Sequence, residues 1–369
     1  MKDAPLILLA AGGTGGHLFP AEALAHALRA CGARTALATD GRAAGFGEGF
    51  PAEARFAFKA ATPSGRSPLG MAKAGATLLA GALAARAALA KLKPDAVIGF
   101  GGYPCVPPVL AATWSKIPSA LHEQNAVMGR ANRFLAARVD AIATGFPELG
   151  GVGADVRAKA THVGNPVRPA VIEAAKVAYV APGEGPIRIV VTGGSQGARV
   201  MSDVPPAAIA ALPAALRARL AVTQQARPED VARAQATYAA AGVAAEVASF
   251  FKDLPARIAA SHLVIGRSGA STVSELAAIG RASILVPLPG ALDQDQAANA
   301  AILAKAGGAE VVPQSRFDAA WLRDALARRI EDPDSLARAA AAARAIGAPD
   351  AASRLAGFVL ALVERKTRP

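Results

Sequence analysis

One pattern occurs twice in this chain of 369 residues: an apolar strand, a glycine-rich turn and a helix-forming stretch. The apolar run from Pro5 to Ala11 enters Gly-Gly-Thr-Gly-Gly at residues 12–16, and the run from Ile187 to Thr192 enters Gly-Gly-Ser-Gln-Gly at residues 193–197. A strand that turns at once into a helix is the opening of a βαβ unit, which builds parallel sheets. The repeat therefore predicts two α/β halves of similar architecture.

The segments between and after the two turns carry the same signal. Short apolar runs alternate with alanine-rich stretches that favour helix, as at residues 96–99, 141–144, 263–265 and 283–287. This alternation is typical of parallel sheets that helices cover on both faces. We predict an α/β fold with two doubly wound, Rossmann-like domains and a cleft between them.

The domain junction is predicted from proline and glycine. Both residues punctuate Gly164-Asn165-Pro166 and recur just before the strand that starts at Ile187. We therefore predict an N-terminal domain at residues 1–165 and a C-terminal domain at residues 166–350. Residues 351–369 carry leucine, phenylalanine and valine at helical spacing, and we expect this helix to pack back on the N-terminal domain.

The charge balance suggests an anionic partner. Lysine and arginine number 40 against 28 aspartates and glutamates, a formal net charge of +12. Such an excess suits nucleic acid, an acidic membrane face or a phosphorylated substrate, but aromatic residues are only 5%, so no nucleic-acid partner is expected. The two cysteines, Cys31 and Cys105, form no CxxC pair, which argues against a disulfide scaffold or a thiolate metal site and fits a reducing cytosol.

No stretch has the roughly 18 uncharged apolar residues expected of a membrane-spanning helix. The nearest candidate, Ala74 to Ala90, contains Arg86. The run from Leu6 to Ala11 is too short for a secretory signal. We therefore expect a protein that is soluble or held at a membrane surface.

The first glycine turn, residues 12–17, ends in His17. Glycines let backbone N–H groups approach a phosphate, and the start of the following helix favours negative charge. The turn matches neither the P-loop nor the dinucleotide fingerprint, which disfavours an NAD-dependent dehydrogenase, and it is also compatible with a tight turn that needs positive φ angles. His17 follows a strand where α/β active sites form, so it suits a general base or, alternatively, a packing or capping role.

The second glycine turn, residues 193–198, contains Ser195, which is suited to donate a hydrogen bond to a phosphate oxygen. Two such turns at the heads of two domains are more specific than one. They predict a cleft into which the positive ends of helices face from both sides. Such a cleft suits a diphosphate that is bound without a metal ion.

Two further polar or glycine-rich segments follow predicted strands of the N-terminal half, and a third lies at the predicted domain junction. Gly101-Gly102 is either a simple turn or a second glycine-lined wall. Asn125 ends the polar run at residues 122–125, which is either a capped helix start or a place where an amide contacts sugar hydroxyls. Arg168, after the turn at residues 164–166, is either a surface arginine or a bridge to a substrate phosphate.

Small residues dominate residues 266–274, between a predicted strand and a helix. They let the backbone approach a ligand closely. Glu275 follows in the first helical turns, where its carboxylate can accept two hydrogen bonds from a ribose diol or can belong to a helix cap.

A loop with two acids and two amides occupies residues 293–296. Asp293-x-Asp295 resembles a metal-binding pair, but a three-residue match is very weak. We interpret this loop as a polar helix start that supplies Gln296 to a ligand, and not as a metal site.

Taken in order, these segments resemble the MurG family of UDP-N-acetylglucosamine:N-acetylmuramyl-(pentapeptide) pyrophosphoryl-undecaprenol N-acetylglucosaminyltransferases. Seven motifs carry the resemblance: GGTGGH at 12–17, GGY at 101–103, HEQN at 122–125, GNPVR at 164–168, GGSQGA at 193–198, RSGASTVSE at 267–275 and DQDQ at 293–296. Each motif is weak alone, whereas seven in the same order with compatible spacing are specific.

The resemblance implies a GT-B fold, in which the C-terminal domain binds the UDP-sugar and the N-terminal domain binds the lipid acceptor. It implies that Glu275 holds the ribose, that the backbone at Phe251 lies against the uracil and that His17 is the candidate base. Further contacts with substrate are implied for Thr14, Gly15, Gly16, Asn125, Arg168, Ser195, Ala270, Ser271, Thr272 and Gln296. No metal or other cofactor is implied.

The implied reaction is an inverting transfer of N-acetylglucosamine from UDP-N-acetylglucosamine to the 4-hydroxyl of a MurNAc-pentapeptide on undecaprenyl diphosphate. This converts lipid I into lipid II for peptidoglycan synthesis, at the cytoplasmic face of the bacterial inner membrane. Basic and apolar side chains are mixed in one stretch, at Lys59, Arg66, Leu69, Met71, Lys73, Leu78 and Leu79. This pattern favours peripheral attachment to an anionic bilayer, although a core-facing helix with solvated lysines explains it as well.

The sequence departs from the family pattern at residues 104–107, at residues 271–274 and at Phe251, where an aliphatic residue is frequent. These changes affect loop contacts and leave the chemistry alone. Two alternatives remain open: a GT-B transferase that moves another UDP-sugar to a lipid such as diacylglycerol, and a nucleotide-sugar-binding protein without turnover.

Overall fold

Buried apolar runs form the strands of two parallel sheets, one in each of two units. The computed structural model describes residues 4–13, 15–40, 49–62, 67–194, 197–291 and 294–367. The first unit comprises residues 1–168 and 350–369, and the second comprises residues 169–349. Four residues named above lie outside the described residues: Thr14, Arg66, Ser195 and Asp293.

The described strands of the first unit form one seven-stranded parallel sheet. They are β1 (Leu6–Ala10), β2 (Arg34–Thr39), β3 (Ala54–Ala57), β4 (Ala96–Gly99), β5 (Ser119–Glu123), β6 (Ala141–Thr144) and β7 (Ala160–His162). Their order is β3-β2-β1-β4-β5-β6-β7. The direction of winding reverses between β1 and β4, so the loops that follow these two strands diverge and leave a crevice at the carboxyl edge of the sheet.

The second unit repeats this plan with six described strands, again all parallel. They are β8 (Ile187–Thr192), β9 (Leu220–Gln225), β10 (Ala244–Ala248), β11 (Leu263–Gly266), β12 (Ala282–Leu285) and β13 (Ala309–Val311). Their order is β10-β9-β8-β11-β12-β13, with the reversal between β8 and β11. Both glycine turns of the repeated pattern therefore follow the first strand of a doubly wound sheet, beside its switch point.

Helices cover the faces of both sheets. The described α-helices are α1 (Gly15–Ala30), α2 (Pro68–Leu92), α3 (Val106–Trp114), α4 (Arg130–Ala136), α5 (Ala154–Arg157), α6 (Pro169–Ala174), α7 (Arg199–Ala210), α8 (Ala214–Arg217), α9 (Pro228–Ala240), α10 (Leu254–Ala260), α11 (Ala270–Ile279), α12 (Asp295–Lys305), α13 (Ala319–Glu331), α14 (Pro333–Ala345) and α15 (Ala351–Thr367). Leu355 and Val359 of α15 join the apolar cluster that contains Leu24 and Leu28 of α1. The last helix therefore packs on the first unit.

The prediction of two doubly wound α/β domains is confirmed. The division between the units falls after Arg168, whereas the sequence placed it after Asn165. The difference has a physical cause in the first unit, where the Asn165 amide donates to the Gln124 carbonyl and the Arg168 guanidinium lies over the Phe19 ring.

Helix α2 overlaps the stretch that the sequence singles out as the nearest candidate for a membrane span. By length and composition it qualifies, with a mean hydropathy of 1.3 over an 18-residue stretch. The helix carries three basic residues, Lys73, Arg86 and Lys91, but its many alanines and leucines keep the mean hydropathy high. One face of α2 is nevertheless committed to the fold, since a Cβ on Gly81 would overlap the Lys59 carbonyl oxygen and lie 3.2 Å from Pro107.

Candidate active site

The first glycine turn is shaped by packing within its own unit. A Cβ on Gly12 would lie 2.9 Å from the Pro104 side chain and 3.0 Å from the Asp40 carboxylate. Gly13 has a φ of +84°, and its N–H donates to Oδ1 of Asp40 at 3.3 Å. Close approach and left-handed backbone thus require these two glycines, as the tight-turn interpretation predicts.

The next glycine of this turn makes room for an aromatic ring. A Cβ on Gly15 would lie 2.9 Å from the ring of Phe19, which folds back over it. The guanidinium of Arg168 lies 5.1 Å from the centroid of the same ring, a cation–π contact. Phe19 thereby joins the start of α1 to the segment that leads into the second unit, while Gly16 beside it is exposed.

His17 lies in the first turn of α1, with its ring against Gly101 and Gly102. A Cβ on Gly101 or Gly102 would come within 3.4 Å or 3.3 Å of that ring, and both glycines have positive φ. Nδ1 of His17 is 3.3 Å from the Gly12 carbonyl oxygen, which can only accept, so Nδ1 carries the proton and Nε2 carries the lone pair. Burial lowers the pKa of His17 against the opposing effect of this hydrogen bond, so the imidazole is neutral at neutral pH, as a general base requires.

His122, the second histidine of the site, holds two segments of the first unit together. It is fully buried at the end of β5, where Nε2 donates to the Gly164 carbonyl at 3.0 Å and Nδ1 accepts from the Gln124 amide at 3.2 Å. Burial lowers the pKa of His122 to about 4. A neutral imidazole thus ties β5 to the turn at Gly164, whose φ is +86°.

Glu123 is a buried carboxylate that organises the loop after β5. It accepts from the Asn125 N–H at 2.9 Å, the Gly129 N–H at 3.0 Å and the Asn132 amide at 2.8 Å. The Asn125 side-chain amide also donates to it, at 3.3 Å. Burial raises the pKa of Glu123, and these donors act in the opposite sense. Glu123 therefore holds the half-buried Asn125 through both its main-chain N–H and its side-chain amide.

The turn that precedes Arg168 fits into this polar network. The buried Asn165 amide donates to the Gln124 carbonyl at 2.9 Å. It fits because position 145 is glycine, since a Cβ on Gly145 would overlap the Asn165 side chain. The HEQN and GNPVR motifs, which are separate in the sequence, thus form one hydrogen-bonded structure in the first unit.

In the second unit, the glycine turn after β8 requires glycine for the same two reasons as the first turn, close neighbours and positive φ. A Cβ on Gly193 would overlap the Ala198 amide nitrogen, and one on Gly197 would lie 2.7 Å from Cγ of Arg227. Gly194 and Gly197 have φ values of +79° and +67°. Helix α7 begins at Arg199, directly after the turn, so its first N–H groups point toward this edge of the sheet.

Arg267 and Ser268 organise the loops after β11 and β12. The buried Arg267 donates to the carbonyls of Val286 and Pro287 at 3.0 and 3.1 Å. Ser268 donates to the Gln296 carbonyl at 2.8 Å, and the Gln296 amide oxygen accepts from the Leu288 N–H at 3.1 Å. The Gln296 side chain is thereby oriented by the loop that it follows.

Helix α11 starts at Ala270, so Ala270, Ser271 and Thr272 form its first turn, and all three are partly exposed. Gly269 occupies the N-cap position, and no side-chain cap is found there among the described residues. The first N–H groups of this helix are therefore available to a ligand anion or carbonyl. Glu275 lies one turn further along the same helix and is half-buried.

Phe251 is buried after β10, while the neighbouring Phe250 has 68% of its surface exposed. The Arg257 guanidinium lies 4.4 Å from the Phe251 ring centroid and pairs with Glu246 and Asp253. The aromatic residue at this position is thus braced by a cation–π contact, which a smaller aliphatic residue could not make.

The predicted residues of each unit share one edge of its sheet. Gly15, Gly16, His17, Asn125 and Arg168 follow strands of the first sheet, while Phe251, residues 270–272, Glu275 and Gln296 follow strands of the second. Thr14 and Ser195 lie outside the described residues. In the described part of the chain no three His, Cys, Asp or Glu side chains meet as a metal site, and the roles of the site residues stay predictions.

Sequence reasoning missed Phe19 and a polar pair in the second unit, Thr192 and Gln225. Phe19 stands four residues after Gly15 on one helix, a spacing that brings side chain and backbone together, and this signal could have been read from the sequence. Thr192 and Gln225 are 33 residues apart in sequence, so local pattern gives no signal for their contact.

Comparison with known proteins gives two family matches in this chain. The glycosyltransferase family 28 N-terminal domain matches residues 7–144, and the family 28 C-terminal domain matches residues 188–355. A curated protein of Methylobacterium sp. (strain 4-46) is 60% identical over 96% of both chains, and one of Rhodopseudomonas palustris is 55% identical over 97% of this chain and 98% of that one. Both are named UDP-N-acetylglucosamine--N-acetylmuramyl-(pentapeptide) pyrophosphoryl-undecaprenol N-acetylglucosamine transferase.

Solved structures give the same picture of the fold. Acinetobacter baumannii MurG is 27% identical, with a TM-score of 0.80 over 97% of this chain and 99% of that one. The calicheamicin glycosyltransferase CalG4 is 17% identical, with a TM-score of 0.66 over the whole of both chains, which shows a shared fold alone.

Proposed function

The chain belongs to glycosyltransferase family 28, in the MurG family of UDP-N-acetylglucosamine-dependent transferases with the GT-B fold, and from this premise we propose that it converts lipid I into lipid II. In the proposed reaction, N-acetylglucosamine moves from UDP to the 4-hydroxyl of the MurNAc-pentapeptide on undecaprenyl diphosphate. The configuration at the anomeric carbon inverts, because one in-line displacement turns the α-linked donor into a β-linked product.

His17 is the residue that carries the proposal. Its Nδ1–H donates to the Gly12 carbonyl, which places the lone pair on Nε2, and burial lowers its pKa so that the imidazole is neutral at neutral pH. A neutral imidazole of this kind can accept the proton of the acceptor hydroxyl as the hydroxyl oxygen attacks the anomeric carbon. The packing of the ring against Gly101 and Gly102 fixes its direction before substrate binds.

Donor binding is supported by the loops at the carboxyl edge of the second sheet. The turn after β8 and the starts of α7 and α11 present backbone N–H groups, which stabilise the negative charge that develops on a departing diphosphate. Glu275 offers two carboxylate oxygens to a ribose diol, and the oriented Gln296 amide offers a further polar contact. We propose that these groups bind UDP without a metal ion.

Turnover by the purified protein tests this function. With UDP-[14C]N-acetylglucosamine and either lipid I or diacylglycerol in detergent, we expect label in the product of lipid I and an equal molar release of UDP, both unchanged by EDTA. Label that enters diacylglycerol and not lipid I would instead indicate a transferase of another lipid. Binding of UDP-N-acetylglucosamine with no release of UDP would indicate a non-catalytic binding protein.

We also propose that the enzyme acts as a peripheral protein at the cytoplasmic face of the inner membrane and that α2 faces an anionic bilayer there. Leu69, Met71, Leu79 and Leu83 project from α2 with more than half of each surface exposed, 80% for Leu69. Lys59 and Lys73 are exposed nearby, whereas Leu78 packs on the core. Exposed leucines beside lysines favour insertion at the level of acidic headgroups.

Replacing Leu69 and Met71 by aspartate should weaken membrane binding. Both residues lie in the first turns of α2, where negative charge suits the helix dipole, so the helix should remain folded. Flotation with phosphatidylglycerol vesicles should show a decrease in bound protein of about tenfold or more.

The matched control for this experiment is the double change Val177→Asp and Val180→Asp, which adds the same charge at exposed apolar positions of the second unit. Equal flotation of the two variants would exclude α2 as the membrane-facing surface.

A further inference from the structure

We propose that Thr192 and Gln225 are positioning residues for UDP-N-acetylglucosamine, because they hold the loops of the second unit in their ligand-binding arrangement before the donor arrives. The inference rests on the proposed function, in which this unit binds the donor. Neither residue belongs to the motifs that identify the family in this sequence. Both lie at the last position of a strand, Thr192 in β8 and Gln225 in β9.

Thr192 is buried, and its hydroxyl group both accepts and donates a hydrogen bond. Oγ1 accepts from the Gly194 N–H at 3.3 Å and donates to Oε1 of Gln225 at 2.8 Å. The hydroxyl therefore connects the glycine turn after β8 to the end of the neighbouring strand.

Gln225 extends the connection to a third strand. Its Nε2 donates to the Ser249 carbonyl at 3.4 Å, directly after β10 and next to Phe250 and Phe251. The Gln225 amide thus accepts a hydrogen bond from Thr192 and donates one to the loop after β10. The carboxyl ends of β8, β9 and β10 are linked by side chains, in addition to the ladder bonds of the sheet.

The methyl group of Thr192 packs against β11, the strand on the other side of β8. A Cβ on Gly266 would lie 3.0 Å from Cγ2 of Thr192 and 2.9 Å from its carbonyl oxygen. Gly266 ends β11 and leads into the segment that starts α11. One threonine therefore contacts the two loops on either side of the switch point, by its hydroxyl and by its methyl.

This arrangement matters because of the glycines that flank the turn. Gly194 and Gly197 both have positive φ, and glycine has more conformational freedom to lose than any other residue when a ligand orders it. A loop that is already held costs less free energy to order, and the saving appears as affinity for the ligand. Loss of the Thr192 hydroxyl should therefore weaken donor binding and leave the chemical step unchanged.

The pair of variants Thr192→Val and Thr192→Ser separates the two contacts of Thr192. Valine keeps the shape and the methyl but removes the hydroxyl, whereas serine keeps the hydroxyl. For Thr192→Val we expect the Kd for UDP by titration calorimetry, and the KM for UDP-N-acetylglucosamine, to rise about 5- to 10-fold, with kcat changed by about twofold at most. For Thr192→Ser we expect both constants to stay within about twofold of wild type.

Gln225→Met tests the other half of the connection and should raise the same constants. The double variant Thr192→Val with Gln225→Met should then be about as weak as the weaker single variant, because each change breaks the same link. Thr237→Val is the matched control, since the exposed Thr237 hydroxyl donates only to the Arg233 carbonyl within α9.

Thr192→Val with an unchanged Kd for UDP, or with a lowered melting temperature and no change in Kd, would overturn the proposal. Rescue by serine and non-additivity with Gln225→Met would support it, since a merely structural role predicts neither. Wild-type protein that binds no UDP would contradict the proposed function itself, a result distinct from wild-type binding that Thr192→Val leaves unchanged.

Discussion

His17→Ala is expected to lower kcat by about 10²- to 10⁴-fold, the usual contribution of a positioned general base. The reason is geometric, because the Gly12 carbonyl holds the proton on Nδ1 and the ring packs against Gly101 and Gly102, so Nε2 is directed before substrate binds. The Kd for UDP-N-acetylglucosamine should stay within about twofold of wild type, since the loss concerns the chemical step. Steady-state kinetics with lipid I and calorimetry with the donor measure the two quantities.

The control for this variant lies on the same helix. His26 is exposed on α1, so His26→Ala makes the same chemical change away from the site and should leave kcat unchanged. The pH profile gives a second check. A base loses activity when it is protonated, and the pKa of His17 is lowered by burial, so kcat should fall only below the usual histidine value of about 6.5. Near-normal turnover of His17→Ala would exclude this residue as the base.

Glu123→Ala is expected to have the largest effect on stability, with a decrease in the free energy of unfolding of about 3 kcal/mol. The carboxylate is buried and accepts from the main chain of Asn125 and Gly129 and from the Asn132 amide, so its removal takes one buried acceptor from three donors at once. Turnover at temperatures where the variant is folded should also fall, because Asn125 loses its anchor. Urea unfolding followed by circular dichroism measures the stability change.

Glu53→Ala is the matched control for this change. Glu53 pairs with Arg34 at the surface, where its side chain is 38% exposed, so its loss should cost less than about 1 kcal/mol. Equal losses of stability in the two variants would contradict the role given to Glu123. Glu123→Gln should fall between the two, because the amide keeps one acceptor oxygen but brings an N–H group against the donors of the loop.

The positions of the two glycine turns could be predicted from the sequence, but the contacts that require glycine there could not. The turns at Gly12 and Gly193 were correctly placed between a strand and a helix, because turn chemistry and strand patterns are local. The sequence leaves open whether these glycines make space for a phosphate or only a tight turn, whereas the fold shows that Gly12 is required by Pro104 and Asp40, Gly15 by Phe19 and Gly193 by Ala198. Those neighbours are set mainly by packing, which a list of turn residues does not contain.

The polar motifs show the same limit. The run at residues 122–125 is compatible with a capped helix start and with a sugar-contacting amide, and its members have different roles that the sequence does not separate. His122 and Glu123 are buried and hold loops, while Asn125 is the partly exposed side chain that they orient. Which residue of a polar run faces a ligand depends on the strand end, on Asn132 in the next helix and on Gly164, which is 42 residues away in the chain from His122.

The repeat of strand, glycine turn and helix was by itself sufficient to determine two doubly wound α/β units, because strand periodicity, glycine turns and helix-forming stretches act over a few neighbouring residues. It was not sufficient to determine the tautomer of His17, the ring on which Arg168 lies or the connection between Thr192 and Gln225. These features depend on contacts between atoms that are distant in sequence, and only the folded chain brings such atoms within hydrogen-bonding or packing distance.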